Sequence, residues 1–233
     1  MPQIKQKLKK TRKLTTSSQK WLLRQINDPF VEKARLEGWR SRAAFKIIEV
    51  DEKFKIFKKN NFVVDLGCAP GGWSQYAVKK VGDNNVLGID LLEIDPIIGV
   101  KFIQMDFLAE GALEKILSEV ENLKQRSRIS KSKKFADVVL SDMASNTTGD
   151  KKTDHMRIID LLEESLVLAE KILAQGGCFV GKIFQGGSSD EILKKLQQSF
   201  KTVKYFKPKS SRQDSAETYL VALGFKRDKP ISI

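Results

Sequence analysis

A lysine inside an apolar stretch has the clearest chemical potential in this sequence. Lys182 stands between Cys178-Phe179-Val180-Gly181 and Ile183-Phe184, in a pattern typical of a buried strand. A lysine at such a position loses its hydration unless its amino group reaches a polar crevice. A side chain that extends to the protein surface is the simpler alternative. Lys182 is therefore a candidate functional group whose role depends on what lies at the end of its strand.

A glycine-rich turn follows an apolar run that ends in an acid. The stretch is Val63-Val64-Asp65-Leu66-Gly67-Cys68-Ala69-Pro70-Gly71-Gly72-Trp73, which is typical of the first strand, turn and helix of a nucleotide-binding sheet. It departs from the dinucleotide fingerprint because Ala69 stands where the second glycine is required. Asp65 would repel a pyrophosphate but attract a sulfonium and an ammonium group, so the turn favours S-adenosylmethionine. A plain corner without a ligand is the alternative, but it would not need three glycines, a proline and an acid.

Acidic residues also end the next predicted strands. Asp90 lies about 20 residues past the turn, where nucleotide-binding sheets place a carboxylate that holds ribose hydroxyls. Asp106 follows the third strand and could accept a hydrogen bond from an adenine amino group, and Asp142 ends the fourth. Because the ends of these strands share one crevice, Asp65, Asp90 and Asp106 together predict a cofactor site more strongly than any one of them.

The elements that must position these residues alternate along the chain. Strands are predicted at 63–65, 86–90, 101–104, 136–142, 178–184, 202–206 and 218–223. Helices are predicted between most of them, whereas a basic loop joins the last two. Two helices precede the first strand: one starts at Pro29 after the N-cap Asp28 and stops at Gly38, and one is capped by Ser41 and ends near Phe54. His155 is interpreted as a capping or surface residue. This alternation predicts an α/β fold.

Composition limits the functional classes. The 233 residues are 41% hydrophobic, enough for one globular domain with appendages, and the formal net charge of +13 favours a polyanionic partner such as nucleic acid or an acidic membrane surface. No apolar run approaches the length of a membrane span, and the basic N-terminus lacks an apolar signal core. Cys68, Cys178 and the single histidine lack zinc-site spacing, so no metal is expected.

The cations are concentrated at the N-terminus. Residues 1–24 contain eight lysines and arginines and no acid, which predicts a basic, flexible arm that contacts RNA. A single domain is predicted over 25–226, followed by a tail over 227–233. Mitochondrial import is an alternative reading of the arm, although lysine outnumbers arginine there.

Six stretches of the chain resemble the FtsJ/RrmJ family of RNA ribose 2'-O-methyltransferases, over about residues 17–226. The stretches are Asp28-Pro29-Phe30-Val31, Arg40-Ser41-Arg42-Ala43-Ala44-Phe45-Lys46, the turn at 65–74, Ser141-Asp142-Met143-Ala144, Val180-Gly181-Lys182-Ile183-Phe184-Gln185-Gly186 and Glu217-Thr218-Tyr219. The resemblance is greatest to the bacterial members that methylate a uridine of large-subunit ribosomal RNA. It implies a Rossmann-like sheet of seven strands, mostly parallel with the last antiparallel, and helices on both faces. It also implies that S-adenosylmethionine is the methyl donor and that the substrate is ribosomal RNA within the large subunit, whose maturation the enzyme supports. The enzyme is then expected to be monomeric and cytoplasmic, and to bind no membrane.

The same resemblance implies the site residues. The family's catalytic set falls on Lys46, Asp142, Lys182 and Glu217, and its cofactor contacts fall on Gly71, Trp73, Asp90, Asp106 and Asp142. Ser145 departs from the family pattern, which usually has proline there. Methyl transfer to a ribose hydroxyl requires loss of the hydroxyl proton, so the resemblance implies that Lys182, as a neutral amine, is the general base. Asp142 and Glu217 would then orient the lysines and the hydroxyl.

Three other functions stay open at this stage. A non-enzymatic RNA-binding protein on the same fold is disfavoured because all four catalytic positions are intact. A methyltransferase for transfer RNA or for an mRNA cap would carry the same four residues, and the flanking sequence separates these substrates weakly. A NAD-dependent oxidoreductase is disfavoured by the glycine spacing.

Overall fold

The protein is described by a computed structural model that covers residues 15–127, 135–144, 150–184, 190–212 and 215–227. Within these ranges, three helices precede the sheet: α1 (Thr16–Ile26), α2 (Pro29–Leu36) and α3 (Ala44–Phe54). The rest of the chain alternates strands and helices in the order β1 (Val63–Leu66), α4 (Gly72–Val81), β2 (Val86–Asp90), β3 (Val100–Gln104), α5 (Ala112–Ser127), β4 (Ala136–Ser141), α6 (Lys151–Ile172), β5 (Leu173–Phe184), α7 (Asp190–Ser199), β6 (Phe200–Phe206) and β7 (Glu217–Phe225).

The strands form one seven-stranded sheet in the order β3-β2-β1-β4-β5-β7-β6. The neighbours from β3 to β5 pair in parallel, whereas β7 is inserted antiparallel between β5 and β6. The predicted fold class is thereby confirmed. Because β7 runs in the opposite direction, its first residue, Glu217, pairs with Phe184 at the end of β5. Glu217 therefore lies at the edge of the sheet where the parallel strands end.

Helices cover both faces of the sheet, and the strand side chains alternate between them. One core contains Val63, Val86, Val138 and Tyr219 together with residues of α3 and α4. The other contains Val64, Leu87, Val139 and Leu220 together with residues of α5, α6 and α7. Since successive strand residues point to opposite faces, the nearly continuous apolar runs of β1, β2 and β4 fill both cores at once.

Several predicted boundaries hold and others shift. The side chain of Asp28 caps α2 by accepting the backbone N–H of Phe30 at 3.0 Å, as predicted. The prediction that Ser41 caps the next helix is wrong, because α3 begins at Ala44 without a side-chain cap. Ser41 Oγ instead lies where it would be 2.6 Å from a β-carbon at Gly72.

Two further predictions need adjustment. His155 is inside α6, whose cap is Asp150, so His155 is not the capping residue. β5 begins at Leu173, five residues earlier than predicted, because Leu173 already pairs with Ala136 of β4 before a register shift.

Residues 16–24 of the predicted arm lie in α1, while residues 1–14 are outside the described part. The division into arm, domain and tail stays a prediction. Within the described ranges, no helix is both long and apolar enough to cross a bilayer.

Candidate active site

Four charged side chains meet at the edge of the sheet where the parallel strands end: three lie on α3, β5 and β7, and Asp142 directly follows β4. Lys182 Nζ, on β5, lies 3.1 Å from Asp142 Oδ1 and donates to the Asp142 backbone carbonyl at 2.6 Å. Lys46 Nζ, on α3, lies 3.0 Å from Glu217 Oε2 and 3.9 Å from Asp142 Oδ2. The four residues therefore form a continuous chain of alternating charge, Lys182–Asp142–Lys46–Glu217, whose formal charges cancel.

Burial sets the electrostatics of this cluster. Lys182 and Lys46 are 6% and 7% exposed, so the prediction that Lys182 is buried and reaches a polar crevice is confirmed, and the surface-reaching alternative is wrong. Burial works to raise the pKa of Asp142, but the adjacent Lys182 and Lys46 outweigh it and hold that pKa below its ordinary value. Asp142 is thus a carboxylate held between two amino groups.

Tyr219 is a member of the site that the sequence reasoning did not select. Its hydroxyl, on β7, donates to Asp142 Oδ1 at 2.7 Å, and its ring lies 5.7 Å from Lys46 Nζ and 5.5 Å from the ring of Trp73. Burial and the neighbouring carboxylates of Asp142 and Glu217 raise the pKa of Tyr219 well above its ordinary value, so the hydroxyl remains a donor. A tyrosine in an apolar strand two residues after Glu217 was the available signal, because a buried phenol needs a partner.

The glycine turn lies beside this cluster and is shaped by packing as well as by backbone angles. Asp65, Gly67, Gly72 and Trp73 line one cleft together with Asp142. Gly67 and Gly71 have positive φ values of 69° and 101°, which glycine adopts most easily. A β-carbon at Gly67 would lie 2.2 Å from Met143 Cγ, and one at Gly71 would lie 2.6 Å from Ile97 Cδ1. The space that these two glycines leave is therefore taken by the protein itself.

Trp73 is held in place from the α3 side. Its indole N–H donates to the Ala43 carbonyl at 2.8 Å, and the side chain is 3% exposed. The contact joins α4 to the residue that precedes α3. As a result, the element that carries Lys46 and the element that follows the glycine turn are fixed relative to each other.

The predicted cofactor acids occupy three different environments. Asp65 is 1% exposed and accepts the Ser74 hydroxyl at 2.6 Å. Asp90 accepts the backbone N–H groups of Ala69 and Leu92, both at 2.8 Å, so it is tied to the glycine turn. Asp106 is exposed and accepts the Leu108 N–H at 2.9 Å. Asp65 lies within β1, Asp90 ends β2 and Asp106 follows β3. The Met105 N–H donates to the Asp90 carbonyl at 2.9 Å, so the three acids lie near one edge of the sheet.

The surroundings of Asp65 shift its pKa upward. Burial raises the pKa of Asp65 to about 7, the Ser74 hydrogen bond opposes that rise, and the nearby Asp142 and Asp90 add to it. A cationic ligand in the adjoining cleft would relieve the repulsion among these carboxylates. These carboxylates therefore fit a ligand that carries positive charge.

A second cavity opens on the other side of Lys46 and Glu217. It has a volume of about 320 Å³ and is lined by the following residues: Arg24, Gln25, Arg42, Ala43, Lys46, Arg212, Ser215 and Glu217. Asp28 organises two of its arginines, since Asp28 Oδ2 lies 3.1 Å from Arg42 Nη1 and 3.1 Å from Arg212 Nε. Arg212 also donates to Gln25 Oε1 at 2.9 Å. This cavity, here called the arginine cavity, presents a positive wall next to the cluster of Lys46, Asp142, Lys182 and Glu217.

The described residues include no group of three or more His, Cys, Asp or Glu side chains that could hold a metal ion. Cys68 and Cys178 are buried free thiols. Ser145, the departure from the family pattern, lies outside the described residues.

Two relatives of this chain from different bacteria carry the same name. A protein of Xanthobacter autotrophicus named ribosomal RNA large subunit methyltransferase E is 51% identical over 227 residues, which cover 96% of this chain and 85% of that protein. A protein of the same name from Rickettsia akari is 51% identical over 226 residues, 94% of each.

A solved structure agrees with these relatives. The crystal structure of a protein described as a ribosomal RNA methyltransferase, from Plasmodium falciparum, matches with a TM-score of 0.65 at 30% identity, over 80% of this chain and 98% of that one. The FtsJ-like methyltransferase family profile matches residues 39–225. The resemblance drawn from the motifs is thereby confirmed, and the chain belongs to the FtsJ-like methyltransferase family, as an enzyme that transfers methyl groups.

Proposed function

We propose that this enzyme transfers a methyl group from S-adenosylmethionine to the ribose 2'-hydroxyl of a uridine in large-subunit ribosomal RNA, with Lys182 as general base. The observation that carries the proposal is the cluster of Lys182, Asp142, Lys46 and Glu217 between the glycine turn on one side and the arginine cavity on the other. A proton acceptor is needed where a methyl donor and an RNA ribose would meet, and this cluster lies between surfaces suited to each.

The chemistry of the cleft supports S-adenosylmethionine as the donor. Asp65 and Asp142 line it and Asp90 holds its turn, so carboxylates surround the place that a sulfonium and an ammonium group would occupy. Gly71 and Trp73 belong to the turn and to the first residues of α4. Asp90 ends β2 and Asp106 follows β3, the two strands that would flank a ribose and an adenine. When bound, S-adenosylmethionine supplies a methyl carbon activated by the sulfonium and leaves as a neutral thioether.

The contacts of Lys182 support its role as the base. Asp142 holds the Lys182 amino group through its backbone carbonyl and through Oδ1. These two contacts restrict the position and the orientation of Nζ. In the neutral amine form, Lys182 Nζ takes the proton of the 2'-hydroxyl while that oxygen forms its bond to the methyl carbon. General bases placed in this way contribute rate factors of about 10²–10⁴.

The other members of the cluster orient these groups. Asp142 fixes Lys182 and is itself fixed by the Tyr219 hydroxyl at 2.7 Å. Glu217 and Asp142 hold Lys46, which faces the arginine cavity. Lys46 and Glu217 are therefore proposed to position the ribose rather than to accept its proton.

The arginine cavity supports RNA as the substrate. Arg42 and Arg212 are oriented by Asp28, and arginine side chains bind phosphate oxygens in a bidentate manner. With the net charge of +13, the protein has the electrostatic character of an RNA-binding enzyme. The name shared by the relatives from Xanthobacter and Rickettsia supports large-subunit ribosomal RNA as the target, and we propose a monomeric enzyme in the bacterial cytoplasm that acts on the subunit during its maturation.

The proposal is tested by methylation with labelled S-adenosylmethionine. Separated large and small ribosomal subunits, their protein-free RNA, and transfer RNA are incubated with the protein, and the labelled nucleotide is mapped by nuclease digestion and mass spectrometry. We expect label on the ribose of one uridine of large-subunit RNA. Label on a base, label confined to transfer RNA, or cofactor binding without transfer to any RNA would overturn the proposal.

A further inference from the structure

Arg40 holds together two loops beside the proposed cofactor cleft. Its Nη1 donates to the Pro70 carbonyl at 3.3 Å and to the Asp95 carbonyl at 2.6 Å, and its Nη2 donates to the Pro96 carbonyl at 2.6 Å. Pro70 belongs to the glycine turn, whereas Asp95 and Pro96 belong to the loop between β2 and β3. All three partners are backbone carbonyls, so the guanidinium bridges two backbone segments.

The backbone around Arg40 is fixed to α4. Gln75, on α4, accepts the Arg40 backbone N–H at 3.0 Å and donates to the Gly38 carbonyl at 2.8 Å. The Arg40 side chain also packs on the turn, because a β-carbon at Gly71 would lie 3.3 Å from Arg40 Cδ. Arg40 therefore reaches the turn from a position that α4 itself determines.

Arg42, two residues further on, serves the opposite side. Its guanidinium pairs with Asp28, donates to the Ser210 carbonyl, and lines the arginine cavity. The two arginines of the Arg40-Ser41-Arg42 stretch thus have different surroundings: Arg40 contacts the glycine turn, and Arg42 contacts the proposed RNA side.

We propose that Arg40 is a positioning residue for the cofactor and not a contact for RNA. It sets the spacing between the glycine turn and the loop at 91–99, and through that spacing the affinity for S-adenosylmethionine. The inference rests on the proposed function in one respect, namely that the cofactor binds at this turn. An arginine is required because its planar fork directs several donors at fixed angles, whereas a lysine is a single point charge on a flexible stem.

The test is the variant Arg40→Lys, studied in the full-length protein. Calorimetry gives the dissociation constant for S-adenosylhomocysteine, and steady-state kinetics give KM for S-adenosylmethionine and kcat. We expect the dissociation constant and KM to rise about tenfold, as for loss of one or two charge-assisted hydrogen bonds, while kcat at saturating cofactor changes less than twofold. RNA affinity, measured by fluorescence anisotropy, should stay within twofold of the wild type.

Two further variants serve as controls. Arg35→Lys makes the same chemical change at an exposed arginine of α2 and should leave all of these quantities unchanged. Arg42→Lys should show the reverse pattern, with weaker RNA binding and an unchanged dissociation constant for S-adenosylhomocysteine. Thermal unfolding of each variant identifies loss of folded protein, and Arg40→Gln, which keeps a neutral amide donor group but loses the charge and the fork, gives a second measurement at the same position.

The outcomes separate the two proposals. If the wild type binds S-adenosylhomocysteine and both Arg40 variants bind it equally well, the positioning role is wrong and the proposed function stands. If the Arg40 variants lose RNA affinity but keep cofactor affinity, Arg40 is an RNA contact and the inference is likewise overturned. If the wild type binds no S-adenosylhomocysteine, the proposed function fails first, and the inference falls with it.

Discussion

Replacing Lys182 by methionine removes the proposed base and keeps most of the volume of the side chain. In the wild type, Lys182 Nζ lies 3.1 Å from Asp142 Oδ1 and 2.6 Å from the Asp142 carbonyl. After the change, Asp142 keeps the Tyr219 hydroxyl at 2.7 Å and Lys46 at 3.9 Å. Removing one partner of a buried ion pair costs about 3–5 kcal/mol of stability, and the remaining partners of Asp142 should place Lys182→Met at the lower end.

The loss of rate should be larger than the loss of cofactor affinity. A positioned general base contributes about 10²–10⁴ in rate, or about 3–5 kcal/mol of activation free energy. The dissociation constant for S-adenosylhomocysteine should change less than threefold, since the proposed ribose and adenine contacts lie on β2 and β3. Single-turnover methylation of RNA at saturating S-adenosylmethionine measures the chemical step directly, and calorimetry measures the binding.

Lys182→Arg separates the charge of the residue from its capacity to accept a proton. A guanidinium can keep the ion pair with Asp142 but stays protonated at any working pH. We therefore expect this variant to be more stable than Lys182→Met and equally slow. Lys195→Met is the matched control, because Lys195 lies 3.3 Å from Glu163 in a surface pair whose lysine is 57% exposed, and such pairs contribute little. Near wild-type methylation by Lys182→Arg would refute the base role and leave Lys182 as an electrostatic positioning residue.

Three other variants test the cofactor site, the arm and the buried acid. Asp90→Ala should weaken S-adenosylhomocysteine binding by about 1.5–3 kcal/mol, because it removes a charged acceptor for ribose and the contact to the turn; unchanged affinity in calorimetry would argue against the assigned cleft. Deleting residues 1–14, which contain six cations, should weaken RNA binding and reduce the slope of log affinity against log salt concentration, since fewer counterions are released. An identical slope in the shortened protein would mean that residues 1–14 do not contact RNA. The raised pKa of Asp65 means that the folded state holds a proton which the unfolded state releases near pH 3.8. The free energy of unfolding of the wild type, compared with that of Asp65→Asn, should therefore fall by up to about 4 kcal/mol between pH 4 and pH 7. If the free energies of unfolding of the two proteins changed equally with pH across this window, the raised pKa of Asp65 would be wrong.

Local features of this protein were predictable because each depends on a few neighbouring residues. The apolar runs of β1, β2 and β4 identified buried strands, and the Asp28-Pro29 pair identified the start of α2. The burial of Lys182 followed from its own strand. Lys46 was different, because its position on a helix carried no functional signal and only the family resemblance selected it.

Longer-range relations depended on the tertiary structure. Lys46 and Glu217 are 171 positions apart, yet Lys46 Nζ lies 3.0 Å from Glu217 Oε2. The antiparallel insertion of β7 brings Glu217 to the edge of the sheet where the parallel strands end. The register of β7 against β5 places the Tyr219 hydroxyl on Asp142, a contact that no spacing along the chain indicates.

The sequence by itself determined which residues are apolar, charged or conformationally free, and hence the order of helices and strands and the residues available for chemistry. The tertiary structure decided the direction in which those residues point. Arg40 and Arg42 are two positions apart in one short stretch, but one bonds to the glycine turn and the other to Asp28. The reason is physical: local propensity depends on neighbours along the chain, whereas the partner of a side chain depends on packing among elements that the chain brings together only when it folds.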